Sequence, residues 1–309
     1  MTSSTAVGDL SPDSNGARAL TVAIVAYRSR EHLRACLESL RESAPRRPFE
    51  VRVVDNGSND GTVEMVERSF PEVALTDAGE NLGFGRATNL AIGASSSEYV
   101  LALNPDTRVQ PGTLDRLLEL MDARPDVGIC GCRLVREDGT LDHAAKRSFP
   151  TPLGALAHFT GVGRSERAPR RLAQYRAPDV ERGEVDAVNG AFMLLRRRAL
   201  EEVGLFDEKY WMYMEDLDLC YRFAAAGWKT WYEPSVSVLH VKWGSSGSSR
   251  SARLNVAFHY GMLRFYRKHY AGSRATPLNL LVYAGIGAKL GVSVVGSAIR
   301  RAVKHGPRP

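Results

Sequence analysis

Apolar runs and amphipathic stretches alternate along the first half of the chain. Runs rich in β-branched residues, such as LTVAIVAY at 20–27, are typical of buried strands. Each run is followed by a segment with apolar positions three or four apart, which is typical of a helix packed on a sheet. This alternation predicts an α/β fold with a mostly parallel central sheet flanked by helices. The predicted strands are 20–27, 50–58, 73–79, 99–107 and 127–135, and the predicted helices are 29–43, 62–70, 85–95 and 112–125.

The second half of the chain has a less regular pattern. Residues 147–184 lose their periodicity and are rich in Arg, Pro and Gly, which predicts a long loop or lid. A domain linker is a poorer interpretation, because strand-like and helix-like segments resume after this stretch. The predicted later elements are strands at 185–196 and 230–241, a short helix at 197–204, a helix beginning near Glu215 and an amphipathic helix from Ser251 to Tyr270.

Charge divides the chain into two parts. All 35 acidic residues lie at or before Glu233, whereas the last 76 residues carry 12 Lys and Arg and no acidic residue. Residues 278–299 are apolar apart from Lys289, and Arg300 and Arg301 follow directly. This basic helical tail fits an anionic membrane surface better than a nucleic acid. The alternative is a helix packed on the protein's own core or on a partner subunit of a homo-oligomer, and Lys289 argues against a full membrane span.

The cysteine usage and the N-terminus are those expected of a cytoplasmic protein. Cys36, Cys130, Cys132 and Cys220 lack the spacing of a metal or redox site, so we expect reduced core thiols. Residues 1–18 are polar, carry no signal-peptide pattern and are expected to be disordered.

Polar residues follow several predicted strands at the point where each strand ends. Ligands of open parallel sheets bind at this edge. Ala26 and Tyr27 end the first strand, Asp55 ends the second, and Asn104 and Asp106 follow the fourth. Asp55 is therefore a candidate to accept hydrogen bonds from a base or ribose. Asp106 is a candidate ligand of a divalent cation.

Other nucleotide motifs are absent from the sequence or weaker. VVDNGSNDGT at 53–62 also reads as a helix-capping turn, which leaves Asp55 unexplained. No G-x-G-x-x-G follows the first strand and no G-x-x-x-x-G-K-[ST] occurs, which argues against a Rossmann dinucleotide site and a P-loop. The glycine-rich turn from Asn81 to Arg86 opens a helix, where a phosphate would be favoured.

Three carboxylates stand at the head of an otherwise apolar helix, within WMYMEDLDLCYRFAAAGWK at 211–229. Asp216 lies on the apolar stripe of that helix, while Asp218 and Arg222 form an i,i+4 pair. A buried carboxylate is costly unless it is paired, so it is a candidate for chemistry. The alternative is that Glu215 and its neighbours only cap the helix and complement its dipole.

Seven segments in a fixed order carry a resemblance to a known family. They are AIVAY, VVDNGSNDGT, NLGFGRATNLAI, LNPDTRV, VNGAFMLLRRRALEEVGLFDE, YMEDLDLCYRFAAAGW and VLHVKWGSS, within residues 20–248. Together they resemble family 2 glycosyltransferases of the GT-A fold, closest to bacterial rhamnosyltransferases that act on polyprenyl-diphosphate-linked sugars. The resemblance covers about three quarters of the chain and does not extend to the basic tail.

The resemblance implies roles for the strand-end residues. Tyr27 and Asp55 would hold the base and ribose of a nucleotide-sugar donor, and Arg86 would lie near its diphosphate. Asp106 would bind Mg²⁺ or Mn²⁺, with His240 as the second protein ligand. Asn104 stands where the family's D-x-D element has its first Asp, so a single carboxylate would hold the ion. The implied donor site comprises Ala26, Tyr27, Asp55, Asn81, Arg86, Asn104 and Asp106.

The resemblance also implies which residue removes the acceptor's proton. Asp216 would be the general base of an inverting displacement, with Glu215 as its rival or as a positioning group. Asn189, Gly190 and Trp211 would line the acceptor pocket.

The implied function is a metal-dependent hexosyl transfer in cell-wall or polysaccharide biosynthesis. The expected donor is dTDP-rhamnose and the expected acceptor is a sugar on a polyprenyl diphosphate, at the inner face of the plasma membrane. A galactosyl- or glucosyltransferase with a UDP-sugar is the alternative. A nucleotidyltransferase is a poorer alternative, because this sequence lacks the glycine-rich loop that such an enzyme usually has after its first strand. A non-catalytic nucleotide- or carbohydrate-binding module is also a poorer alternative, because it would not need Asp106, His240 and Asp216 together.

The expected domain organisation follows from these features. A disordered N-terminus (1–18) precedes a catalytic domain (19–250), and a basic amphipathic tail (251–309) follows. The catalytic domain would divide into a nucleotide-sugar-binding half (19–135) and an acceptor half (136–250).

Overall fold

The computed structural model describes residues 19–150, 180–242 and 251–305. The predicted disordered N-terminus and most of the predicted loop at 147–184 lie outside these residues. In the first half, strands and helices alternate as predicted, except that the predicted strand at 99–107 ends at Leu103. A turn at residues 104–106 separates it from a short strand, Thr107–Arg108, which pairs elsewhere in the sheet. The elements are β1 (Leu20–Ala26), α1 (Arg30–Glu42), β2 (Phe49–Asp55), α2 (Thr62–Ser69), β3 (Ala74–Asp77), α3 (Phe84–Gly93), β4 (Tyr99–Leu103), β5 (Thr107–Arg108), α4 (Thr113–Ala123) and β6 (Val127–Val135).

The second half is less regular and contains both the longest strand, of 12 residues, and the longest helix, of 30 residues. A helix does begin at Glu215, as the pattern of the acidic stretch predicts. The remaining elements are β7 (Lys146–Arg147), β8 (Gly183–Val185), β9 (Ala187–Val188), β10 (Phe192–Arg196), α5 (Arg197–Val203), α6 (Glu215–Ala225), β11 (Lys229–His240), α7 (Ala252–His269), a 3₁₀ turn (Ala271–Ser273) and α8 (Thr276–His305).

Nine strands form one mixed sheet, with the order β3-β2-β1-β4-β10-β6-β11-β5 and β8 paired to β11. β3, β2, β1 and β4 are mutually parallel, which confirms the predicted parallel half. β10 runs antiparallel between β4 and β6 and joins the two halves. The parallel strands β1 and β4 are buried along their whole length, as expected for a sheet covered on both faces.

The predicted strand at 185–196 is wrong as a single element. It is broken into β8, β9 and β10, and only β8 and β10 belong to the central sheet, because β9 pairs with β7 in a separate ribbon. The break lies at Asn189, whose Oδ1 accepts a hydrogen bond from the amide of Ala191 at 2.8 Å. This local side-chain bond turns the chain and competes with strand pairing, which the apolar pattern does not reveal.

Helix α7 is fixed to the catalytic domain by a buried ionic cluster. Asp218 on α6 is fully buried and accepts a hydrogen bond from Arg222 Nε at 2.8 Å, the predicted i,i+4 pair. The same carboxylate also accepts bonds from Lys268 and His269 of α7. Asp207 holds α7 as well, because it accepts bonds from Arg264 and Lys268. The predicted tail is therefore packed on the domain over its first helix.

The four cysteines are buried and form no disulfide, as predicted. Burial raises the pKa of the Cys36 thiol to about 12, so this group stays protonated at neutral pH.

Candidate functional site

The carboxyl ends of β1, β2 and β4 meet at one edge of the sheet. Ala26 is in register with Asp55, and Ile24 with Leu103, so the residues that follow these strands lie side by side. An open cavity of about 380 Å³ lies at this edge. Its lining residues are Val25, Tyr27, Ser29, Asn56, Asn81, Phe84, Asn104, Pro105, Asp106, Trp211, Met212, Ser251, Arg253 and Leu254.

One part of the site presents buried polar groups. Asp55 is fully buried, and its Oδ2 accepts a bond from the amide of Ser58 at 2.7 Å. Its other oxygen and the Oδ1 of Asn56 are buried and have no hydrogen-bond partner among the described residues. Orphaned buried acceptors of this kind need a donor, which the hydroxyls of a ribose or the N–H groups of a base supply. Tyr27 is 40% exposed in the cavity wall, where its ring is available for stacking.

The glycine-rich turn packs against Trp211. Gly83 has φ of +86°, and a Cβ at this position would lie 2.3 Å from the carbonyl oxygen of Trp211, so only glycine fits. Asn81 accepts a bond from the amide of Gly83 at 3.0 Å. The guanidinium of Arg253 covers the Trp211 ring at 4.2 Å, which places α7 in the cavity wall.

Arg86 is one of the predicted donor-site residues that the structure does not bring to the cavity. Its side chain is 55% exposed and lies 3.9 Å from Glu208, outside the described cavity lining. Ala26 is buried beneath the cavity floor, as the last residue of β1. The prediction that Arg86 lies near a diphosphate stays a prediction.

Asp106 and His240 lie together, as a shared metal site requires. His240 Nε2 is 3.6 Å from Asp106 Oδ1, and both side chains are buried. The other ring nitrogen, Nδ1, is held by Asp142 Oδ2 at 3.2 Å, and Lys242 bonds the same carboxylate at 2.6 Å. Burial alone would raise the pKa of Asp142, but these hydrogen bonds hold it below its ordinary value. A carboxylate on the far nitrogen is a common way to orient a metal-binding histidine.

The residues present fit a divalent cation with few protein ligands. No group of three or more His, Cys, Asp or Glu side chains is arranged around a common point in the described ranges. Mg²⁺ and Mn²⁺ sites in which substrate phosphates and water complete the coordination shell need only one or two protein ligands. The pair of Asp106 and His240 meets that requirement, with Asp142 fixing the histidine ring.

Glu215 and Asp216 occupy contrasting environments at the start of α6. Asp216 Oδ2 accepts a bond from the amide of Gly190 at 3.0 Å and pairs with the guanidinium of Arg147. Glu215 is buried without a cation bonded to it, and its Oε2 has no hydrogen-bond partner within the described chain. Burial, followed by the nearby charge of Asp216, raises the pKa of Glu215 above its ordinary value. Asp216 is therefore paired with a cation, whereas the surroundings of Glu215 favour its protonated form.

The break in the predicted strand brings this acid pair to the sheet edge. The amide of Asn104 donates to the carbonyl oxygen of Ala191 at 3.0 Å, and the neighbouring Gly190 contacts Asp216. An added Cβ at Gly190 would lie 3.4 Å from Asp216 atoms, so a larger side chain would crowd the carboxylate. Of the predicted acceptor residues, Trp211 lines the cavity, whereas Asn189 and Gly190 are not part of its lining and Gly190 contacts Asp216.

Backbone strain is concentrated around these residues. Four non-glycine residues of the described chain have positive φ, between 52° and 71°, and they are Arg28, Tyr213, Met214 and Lys242. They adjoin Tyr27, Glu215 and His240. Such residues are costly and persist where packing holds them, which is common at functional sites. Gly261 of α7 provides that packing for Met214, because a Cβ at Gly261 would lie 3.0 Å from the Met214 side chain.

Several residues of the site escape prediction from the sequence. Asn56, Asp142, Arg147 and Arg253 contact the predicted residues or line the cavity. Asn56 follows Asp55 directly, so its place at the strand end was a usable signal. The other three come from irregular or C-terminal segments with no local signal.

Comparison with known proteins places the chain in a family. The sequence model of Glycosyl transferase family 2 matches residues 21–204. An N-acetylglucosaminyl-diphospho-decaprenol L-rhamnosyltransferase of Mycobacterium tuberculosis is 33% identical over 295 residues, covering 91% of this chain and 94% of the relative. The Escherichia coli rhamnosyltransferase WbbL is 24% identical and covers 71% of this chain and 82% of its own length.

Solved structures with the same fold agree with the family match. The mannosyltransferase PcManGT of Pyrobaculum calidifontis, in complex with GDP-Man and Mn²⁺, has a TM-score of 0.53 at 20% identity and covers 97% of this chain and 79% of its own. GalNAc-T7 with UDP, GalNAc and Mn²⁺ has a TM-score of 0.57 at 14% identity and covers 82% of this chain and 48% of its own. The predicted family, fold and enzyme class are confirmed. The chain belongs to glycosyl transferase family 2 and is a glycosyltransferase of the GT-A fold.

Proposed function

We propose that this enzyme transfers L-rhamnose from dTDP-rhamnose to an N-acetylglucosaminyl diphosphate carried on a polyprenyl chain. The observation that carries the proposal is the placement of the cavity, the Asp106–His240 pair and the Glu215–Asp216 pair at one edge of the sheet. The M. tuberculosis relative supports the choice of sugar and acceptor, because its name specifies both. The dTDP nucleotide follows from the family resemblance of the motifs.

The donor would enter the open cavity with its nucleoside at the β1–β2 end. Tyr27 would stack on the base, while the buried oxygens of Asp55 and Asn56 would accept hydrogen bonds from the nucleoside. The diphosphate would then extend towards Asp106 and His240. A divalent cation bound by this pair would neutralise the negative charge of the departing nucleoside diphosphate.

Asp216 is the proposed general base. It would accept the proton of the acceptor hydroxyl while that oxygen bonds to the anomeric carbon and the bond from this carbon to the diphosphate breaks. Direct displacement inverts the anomeric configuration. Arg147 and Gly190 both bond Oδ2, whereas Oδ1 accepts, among the described residues, only the amide of Leu217 at 2.8 Å, so Oδ1 can still accept a bond from an acceptor hydroxyl. Glu215 is the rival base, because its raised pKa favours uptake of a proton.

The lipid-linked acceptor places the reaction at a membrane. We propose a cytoplasmic enzyme that acts peripherally at the inner face of the plasma membrane. The tail beyond α7, which carries Lys and Arg but no acidic residue, would face the anionic lipid surface.

The test is release of nucleoside diphosphate in the presence of Mg²⁺ or Mn²⁺, with N-acetylglucosaminyl diphosphate on a polyprenyl chain as acceptor. dTDP-rhamnose, UDP-galactose, UDP-glucose and UDP-GlcNAc are compared as donors. We expect turnover with dTDP-rhamnose and its loss on chelation of the metal. Asp216→Asn should lower kcat by roughly 100- to 10,000-fold, the range for a general base. Glu208→Gln, at an exposed carboxylate, is the matched control.

The outcomes separate the alternatives. Turnover with a UDP-sugar alone would replace the donor while keeping the reaction class. A larger loss of kcat in Glu215→Gln than in Asp216→Asn would move the base to Glu215. Tight nucleotide binding with no turnover from any donor would contradict the proposed reaction.

A further inference from the structure

Helix α8 carries polar residues on the side that faces the protein. The side-chain amide of Asn255 on α7 donates to the Ser297 hydroxyl at 2.8 Å. The Tyr266 hydroxyl donates to Asn279 Oδ1 at 2.7 Å. Surface helices of water-soluble proteins have the opposite arrangement, with the apolar side inward and the polar side in solvent. α8 therefore turns several polar residues, together with the buried Ile286, towards the protein.

The opposite side of α8, which we call the outer face, consists of Leu281, Ala284, Ala288, Val292 and Val295. These residues are three or four positions apart and all are exposed. Leu281 is 70% exposed and Val292 is 75% exposed. The outer face extends about 21 Å along the helix and contains no polar side chain. An apolar surface of this length normally has a partner.

The packing of α7 on the catalytic domain limits the orientations in which α8 can bind a membrane. α8 is long and apolar enough to cross a membrane, with a mean hydropathy of 1.6 over Thr276–Ser297. α7, however, is fixed to the catalytic domain through Asp207 and Asp218. Because α8 packs along α7, it cannot cross a bilayer while that packing is kept. A helix with one apolar side and one side held by protein suits the membrane interface.

The positive charge of the C-terminal segment indicates what kind of surface the outer face binds. The last 76 residues contain 12 Lys and Arg and no acidic residue, and Arg274 is exposed just before α8. Lys242, Arg264 and Lys268 are paired within the domain. Arg267 and Arg274, in contrast, are exposed to solvent, where they can meet anionic groups. Anionic headgroups match this charge, whereas a second copy would bring two cationic segments together.

We propose that the outer face of α8 inserts, parallel to the membrane plane, into the headgroup and upper acyl region of an anionic bilayer. This inference goes beyond the proposed transfer, because it requires neither donor nor acceptor. Ser251, Arg253 and Leu254, at the start of α7, form part of the cavity wall, and α8 packs along α7. Binding through the outer face would bring the cavity close to the headgroups.

The test is flotation of the full-length protein with vesicles of phosphatidylcholine and phosphatidylglycerol, and with vesicles of phosphatidylcholine alone. We expect strong binding to the anionic vesicles that weakens with salt. The double variant Leu281→Asp, Val292→Asp should have a membrane partition coefficient roughly 100-fold lower, because two large apolar side chains are lost from the face that inserts into the bilayer. Leu90→Asp, at an exposed leucine on α3, is the matched control and should bind like the wild type.

Folding and oligomeric state are measured on the same samples. Unchanged circular dichroism and nucleotide binding in the double variant would show that the lost flotation is a surface effect. The single Ala288→Glu change is a milder variant on the same face and should also reduce binding. Equal flotation of the wild type and the folded variants would overturn the proposal. A second result would also overturn the proposal: the wild type is a dimer that does not float, and the double variant is a monomer. The outer face would then be an interface between two copies.

Discussion

His240 can present only one ring nitrogen to Asp106, because Asp142 holds the other. Nδ1 lies 3.2 Å from Asp142, while Nε2 points towards Asp106. Asp142 is itself fixed, since it bonds Lys242 and its backbone amide donates to Leu134 on β6. The rotation and tautomer of the histidine are thereby set by a residue that is not itself placed as a ligand.

Asp142→Asn should therefore weaken divalent cation binding without removing a ligand. We expect a loss of roughly 10- to 100-fold in Mn²⁺ affinity, measured by electron paramagnetic resonance in the presence of nucleotide. The Mn²⁺ concentration for half-maximal activity should rise by the same factor. Asp138→Asn, at a carboxylate that caps the nearby turn through Thr140, should change neither value. An unaltered Mn²⁺ affinity in Asp142→Asn would show that His240 is not a ligand or does not need Asp142.

Gly83 offers a second test at the scale of one residue, because its missing side chain makes room for Trp211. Gly83→Ala should displace Trp211, reduce nucleotide affinity at least about tenfold and destabilise the fold by more than about 1 kcal/mol. Gly79→Ala is a close control, since Gly79 also has positive φ but nothing lies within 4 Å of an added Cβ. Calorimetry with nucleoside diphosphate measures the affinity. Equal effects of the two variants would assign the loss to backbone strain alone.

At the scale of elements, α6 and α7 form one unit through Asp218. This buried carboxylate receives bonds from Arg222 on its own helix and from Lys268 and His269 on α7. Burial alone would raise the pKa of Asp218, but these donors lower it below the ordinary value. α7 in turn packs against Met214, next to the acid pair. The docking of α7 and the geometry of the acid pair are thus coupled.

Asp218→Asn should destabilise the protein by about 3 kcal/mol, because Arg222, Lys268 and His269 lose the fully buried carboxylate that all three bond. A carboxylate whose pKa is lowered by folding stabilises the native state above its unfolded pKa. That contribution is lost as the pH falls from there towards the lowered value. Urea unfolding should show a smaller difference between wild type and variant in acid than at neutral pH. Asp126→Asn, at a more exposed pair, should cost less than about 1 kcal/mol. A pH-independent difference would contradict the ionic explanation.

At the scale of the whole molecule, the acid-bearing and acid-free parts of the sequence form different parts of the structure. The acid-bearing part builds most of the sheet, most of the cavity lining and the acid pair. The acid-free part begins within β11, the strand that ends at His240, and continues into α7 and α8. Two acidic residues of the domain, Asp207 and Asp218, hold its first helix. The second helix presents the outer face.

The sequence was sufficient for the fold class and for most of the site. Continuous apolar runs identified the strands, because β1 and β4 are covered on both faces, and apolar positions three or four apart identified the helices, because each helix buries one face. The strand ends then located Tyr27, Asp55, Asn104 and Asp106 at one edge, since parallel strands end together. The family and the enzyme class, which the ordered motifs implied, are confirmed. The donor, the metal and the base stay predictions.

Only the tertiary structure decided the contacts between distant segments. The pairing of His240 with Asp142 and of Asp216 with Arg147 joins residues 98 and 69 positions apart, which no local pattern encodes. The break at Asn189 was hidden because a side-chain hydrogen bond overrides a strand-like apolar run. The outward apolar side of α8 was hidden for a related reason. Composition alone gives how apolar a helix is, but which side meets the protein depends on what packs against it.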